Sequence, residues 1–190
     1  MFTVCWPLTL QSERALAPLI KHLRSSPSTH TIDVVSDIVA LLGANMTSNR
    51  IAVPALTTLA RLIDSGIADT SLPETVYARA LALAARGIPT LKSIDRITAA
   101  MRVVVACLSL PSEFTTRTKA VDALAPLLAH RFPRIRAMTA EAVYLFLSIE
   151  LDELDPELEE CLLETAWAQE EGVARAPEAV EMLRTALNES

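Results

Sequence analysis

Apolar side chains recur at three- and four-residue steps along most of this chain, and no segment alternates with period two over the length of a strand. The clearest case runs from His130 to Leu147. Pro133 sets φ for a first helical turn, where its missing N–H would have had no partner anyway. Ile135, Met138, Ala142, Leu145, Phe146 and Ile149 then form one apolar stripe, which predicts a helix in need of a neighbour. A second helix, over 90–110, carries Leu91, Ile94, Ile97, Met101, Val104, Val105 and Leu108 on one side. Val103, Ala106 and Cys107 keep its other side apolar too, so it is expected between neighbours rather than at a surface.

Punctuation divides the rest. Gly43, Gly66, Gly87 and Gly172 each follow a periodic stretch and are read as left-handed helix ends. Starts are read at Pro73 after Ser71, at Ser112 before Glu113, and at Asp155-Pro156-Glu157, where an N-cap acid, a first-turn proline and a first-turn acid coincide. Helices are predicted over 8–24, 31–43, 49–65, 73–86, 90–110, 112–129, 133–150, 156–171 and 177–188. Pro18, Pro54 and Pro126 fall inside apolar segments, where each removes a backbone bond and favours a bend. Taken in antiparallel pairs, the helices repeat about every 40 residues. The expected fold is all-α: a right-handed HEAT/armadillo-like α-solenoid of about nine helices, forming one domain over residues 1–190.

The Pro-x-Ile-Arg-x-x-x-Ala spacing of Pro133, Ile135, Arg136 and Ala140 resembles the second-helix signature of HEAT repeats, and His130, Phe132 and Pro133 narrow it. With Val143-Tyr144 and Thr165-Ala166-Trp167, the segment 130–168 resembles the C-terminal domain of the tubulin-folding cofactor D family. Upstream of it the chain shows helical-repeat character without a residue-level match. Members of that family are several times longer, so the resemblance implies a C-terminal piece of a chaperone. It also implies a role in assembling and disassembling the α/β-tubulin heterodimer. The implied partners are tubulin, other tubulin-folding cofactors and an ADP-ribosylation-factor-like small GTPase, in the cytoplasm and at the cytoskeleton. A HEAT/armadillo adaptor unrelated to tubulin is the alternative.

Composition narrows the core and the compartment. Apolar residues make up 51% of the chain but aromatics only 4%, so aliphatic side chains and alanine must fill the core. Cys5, Cys107 and Cys161 are far apart and show no metal-ligand spacing, which fits reduced core thiols rather than a disulfide framework or a zinc site. No apolar run approaches the roughly 18 to 20 residues of a membrane span. Met1 to Pro7 lack the basic start and cleavage site of a secretory leader.

Charge is strongly polarised. Residues 1–149 hold 15 Lys and Arg against 10 Asp and Glu, while residues 150–190 hold 2 against 13. The acidic run from Glu150 to Glu160 reads as a solvated lead into a helix whose N-terminal dipole suits acids, or as a dock for a basic partner. Arg131, Arg134 and Arg136, with Lys119 and Arg117 on the preceding helix, form the basic counterpart. Arg136 is expected to pair with an acid of the adjoining repeat. Arg131, Arg134, Lys119 and Arg117 are candidates for an exposed partner-binding patch, which could steer an acidic protein such as tubulin. Tyr144, opposite the apolar stripe, either meets the next helix or joins that interface. Trp167, at helical spacing from Leu163 and Val173, is read as a core anchor. His22, His30 and His130 are scattered outside any catalytic motif, and His130 reads as a capping or packing residue. Neither an enzyme nor a resident cofactor or metal is expected, and an acidic chain without a basic, aromatic-laced stripe makes a poor nucleic-acid binder.

Overall fold

The structure, a computed structural model, describes residues 6–66, 72–151 and 153–189, with side chains from 15 to 188. Cys5, Ser71 and Asp152, and the side chain of Trp6, lie outside the described residues. The described residues form helices and connections without a strand. In order they are α1 (Trp6–Arg24), α2 (Ser28–Ala44), α3 (Asn49–Asp64), α4 (Glu74–Ala85), α5 (Ile94–Ala106), α6 (Thr115–Leu128), α7 (Pro133–Glu150), α8 (Pro156–Glu164) and α9 (Glu170–Glu189). Short 3-10 turns, Ile88–Thr90 and Cys107–Ser109, bracket α5.

From α1 to α5 each helix packs on the one two places further along the chain, and α2 on α3, α4 on α5, α5 on α6 and α6 on α7 pack as sequence neighbours. The stacked pairs α1/α3, α3/α5 and α5/α7 make one layer, and α2/α4 and α4/α6 make the other. This is the neighbour-to-neighbour order of a helical-repeat stack. Hydrogen bonds between successive repeats show the period directly. Glu74 of α4 reaches Thr116 of α6, 42 residues on, and Ile88 meets His130 across the same interval.

At the heart of the stack α5 is wrapped by α3, α4, α6 and α7, and Ile97, Met101, Val103, Val104 and Cys107 are almost wholly buried. The all-round apolar character of that segment is therefore used as expected, although its helix is shorter than 90–110. Pro89 lies in the preceding 3-10 turn, and Ser93 caps α5 by accepting the Arg96 N–H at 3.4 Å.

Several boundaries differ from the sequence reading. Ser112 does not start α6. That helix begins at Thr115, and its N-terminus is capped from α4: Glu74 Oε1 accepts the Thr116 N–H at 2.9 Å and the Thr115 and Thr116 hydroxyls at 2.8 and 3.0 Å. These bonds hold the Glu74 carboxyl below the usual carboxylate range. Asp155 does cap α8, its Oδ1 accepting the Glu157 N–H at 2.9 Å. Gly66 and Gly87 adopt the left-handed conformation expected of them, at φ of 66° and 72°. Gly43, by contrast, lies within α2. Gly172 ends nothing: α8 stops at Glu164, and α9 starts at Glu170 instead of 177, with Pro177 inside it. A Cβ on Gly172 would sit 2.6 Å from the Trp167 Cα, so this glycine permits a close backbone approach.

Beyond α7 the layering changes. The nine-residue α8 packs on α7, and α9 folds back across α6. Arg184, near the end of α9, pairs with Asp122 of α6 at 2.7 Å, and Leu187 lies by Arg117 near the start of α6, so the two helices run antiparallel. The sequence stripe of α7 is also not its buried face. Ile135, Arg136, Thr139, Ala140, Val143 and Leu147 face the core, while Leu145 and Ile149 are exposed.

Candidate protein-binding edge

The connections α2–α3, α4–α5 and α6–α7 lie along one edge of the stack, at the N-terminal ends of α3, α5 and α7. Arg96 of α5 reaches Asn49 Oδ1 of α3 at 3.5 Å, His130 Nε2 donates to the Ile88 carbonyl at 3.2 Å, and Arg131 donates to the Leu91 carbonyl at 3.3 Å. His130 is 2% exposed and its Nδ1 accepts the Phe132 N–H at 3.1 Å, which leaves the proton on Nε2 and makes it the packing residue expected. Burial first, then the charges of Arg131 and Arg136, push its pKa down.

Exposed cations gather on this edge. Arg50 at the start of α3, Arg86 and Lys92 in the α4–α5 connection, and Arg131 and Arg134 at the start of α7 all face solvent. Basic side chains beside three helix N-termini oppose the local dipoles, offset in part by the exposed Asp95 in the first turn of α5. Arg50, Arg86 and Lys92 escaped the sequence reading because they join Arg134 only through the fold, one or two repeats away.

The proposed patch does not hold together as one surface. Arg117 and Lys119 lie in the first turns of α6, beside Glu74, whereas Arg131 and Arg134 follow its C-terminus. Eleven residues of helix separate Arg117 from Leu128, on the order of 17 Å. Arg117 is half-buried and lines a small cleft with Arg184 and Asn188 of α9. Arg131 is fastened by Leu91 and lies 4.7 Å over the Phe132 ring, leaving Arg134 the freer of the two. Tyr144 meets the next helix, its hydroxyl donating to Glu159 Oε1 of α8 at 3.3 Å.

Among the described residues Arg136 forms no ion pair. The expected acid of the next repeat is replaced by three carbonyls, those of Trp167 (2.7 Å, from Nε), His130 (2.7 Å) and Gln169 (2.9 Å). The cation closes the turn between α8 and α9 onto the α6–α7 connection. Trp167 is buried as a core anchor, with its Nε1–H on the Leu162 carbonyl at 3.0 Å. It stands in that turn, however, and Leu163 and Val173 are exposed rather than its stripe partners.

Cys107 and Cys161 are buried free thiols, and burial together with the nearby Asp64 charge pushes Cys107 up to about 12. Among the described residues no three His, Cys, Asp or Glu side chains are placed to share a metal ion, and no helix is long and apolar enough to cross a membrane.

The family model for the tubulin folding cofactor D C terminal matches residues 8–96. Over that stretch the chain is similar to the C-terminal part of tubulin folding cofactor D. No solved structure matches it. The cofactor D match runs from α1 into the first turn of α5 and takes in Arg50, Arg86 and Lys92 of the basic edge. It stops short of 130–168, the segment whose motifs carry the sequence resemblance, so the similarity rests on other residues than those motifs. Arg117, Lys119, Arg131, Arg134 and Tyr144 lie outside the cofactor D match.

Proposed function

We propose that this chain is a protein-binding, non-enzymatic helical stack that acts within a tubulin folding cofactor D to assemble and disassemble the α/β-tubulin heterodimer. The observation that carries the reading is the cofactor D match over the helices that present Arg50, Arg86 and Lys92 on one edge. Tubulin is acidic, and a row of cations over three helix N-termini attracts an acidic surface before closer contact forms. Other folding cofactors and an ADP-ribosylation-factor-like GTPase are the further partners of this reading, which places the protein in the cytoplasm and at the cytoskeleton. The test is binding of the full chain to purified tubulin at low and high salt, with Arg50→Glu, Lys92→Glu and Arg134→Glu combined. These three side chains are exposed, so the melting curve should hold while affinity falls at least tenfold. Unchanged affinity would overturn the role of the edge. Equal binding to an unrelated acidic protein would favour a general adaptor.

A further inference from the structure

We infer that the outer face of α7, with the acidic connection that follows it, is a docking surface for a basic amphipathic helix of a partner protein. Met138, Ala142, Leu145 and Ile149 follow at steps of four, three and four residues and so share one side of α7. Met138 and Ala142 are half-buried, but Leu145 is 53% and Ile149 81% exposed. The neighbours of α7 cover Met138 and Ala142 in part and leave the C-terminal half of this side open. Its other side faces the core through Val143 and Leu147, and α8 attaches through Tyr144, about 100° round the helix from Leu145. Leu163 on α8 and Val173 on α9 continue the anomaly, so four of the six large apolar side chains exposed among the described residues fall after residue 140.

Charge selects the occupant. From 137 to 174 the chain has eleven acids and no Lys, Arg or His, and among the described residues none of those acids forms an ion pair. Glu141 lies one turn before Leu145 on the same side, Glu150 follows Ile149 directly, and Glu153 stands in the connection just past the end of α7. An apolar strip in an uncompensated negative field fits a helix with aliphatic residues on one face and Lys or Arg along its flanks. The strip from Met138 to Ile149 is on the order of 17 Å long, or about three turns of such a helix. A second copy fits worse. The stripe at the other end of the stack, half-buried Val34 and Ile38 with exposed Leu41 on α2, is flanked by Asp33 and Asp37, which would meet like charge.

The experiment is fluorescence anisotropy of the full chain with three labelled 18-residue peptides. One has leucine and lysine at amphipathic helical spacing, one has glutamate in place of lysine, and one has the first peptide's composition scrambled. The amphipathic lysine peptide should bind at least tenfold more tightly than either control. Leu145→Ser with Ile149→Ser should lower its affinity at least tenfold without moving the melting curve, because both side chains already face water. Glu150→Lys with Glu153→Lys should weaken it further at low salt than at high salt. Equal binding of the scrambled peptide, or an unaffected serine variant, would overturn the proposal. So would concentration-dependent self-association in sedimentation that the serine variant abolishes, since the occupant would then be a second copy.

Discussion

Arg96 and Arg136 stand in the first turns of two stacked helices, both almost buried, yet they secure their neighbours in different ways. Arg96 reaches back to the preceding repeat through long contacts, 3.5 Å to Asn49 Oδ1 and 3.9 Å to the Met46 sulfur. Arg136 reaches forward with three bonds of 2.7 to 2.9 Å to backbone carbonyls. Between α3 and α5 the helices lie side by side, and Leu56, Leu59, Ile97 and Met101 already bury the joint. Between α8 and α9 the chain must turn within a few residues, and the carbonyls of that turn need donors that no helix supplies. A repeat in register holds by apolar packing, and a cation becomes essential where the register changes.

The contrast is sharpest for Arg136→Ala. Losing three charge-assisted bonds and leaving buried carbonyls without a donor should cost about 3 kcal/mol of unfolding free energy in urea titration. Arg136→Lys should fall between, because an ammonium cannot span three divergent acceptors as a guanidinium does. A loss below about 1 kcal/mol for the alanine variant would mean that water replaces the cation freely, and the joint would then resemble that at Arg96. Gly172→Ala attacks the same turn sterically. With backbone rather than a flexible side chain 2.6 Å from the added Cβ, the turn must shift, at about 2 kcal/mol. Full stability in that variant would show the approach of Trp167 to α9 to be loose.

The same two regions explain what the sequence could disclose. Over α2 to α6 the apolar period, the prolines and Gly66 and Gly87 act locally, so the helices and the interval of about 40 residues could be read directly. After α7 the determinants are backbone carbonyls and one close approach, neither of which has a side-chain signature. Arg136 was therefore assigned an acid and Gly172 a helix end. The stripe of α7 misled for a related reason: the helix has apolar residues on two sides, and its buried side includes Arg136 and Thr139, which hydropathy counts as polar. The basic edge was half legible, since Arg134 lies in a conspicuous motif while Arg50 and Lys92 reach it only through stacking.

Arg96→Ala supplies the smaller arm of the comparison. Its contacts are long and desolvation already pushes its pKa down, so removal should cost about 1 kcal/mol or less, a third of the Arg136 effect. Equal losses at the two positions would refute the distinction between a packed joint and a bonded one.

The smallest effect expected is the pH response of His130, which ties the repeats where the two joints meet. Folded, its ring is neutral, with Nε2–H on Ile88 and Nδ1 accepting from Phe132. Its pKa lies below the ordinary imidazole value. The unfolded chain therefore takes up a proton near pH 6.5 that the folded chain refuses. The stabilisation is complete above that pH and is lost as the pH falls through the folded pKa. Glu74 behaves alike but in the carboxylate range, since its own folded value is lowered. Asp64 is raised by burial and acts with the opposite sign there. The stability difference between the native chain and His130→Gln isolates the imidazole from both carboxyls. That difference should shrink as the pH is taken from 7.5 to 5.5. A constant difference would mean that the folded ring charges as readily as the unfolded one, and that the Ile88 contact survives protonation.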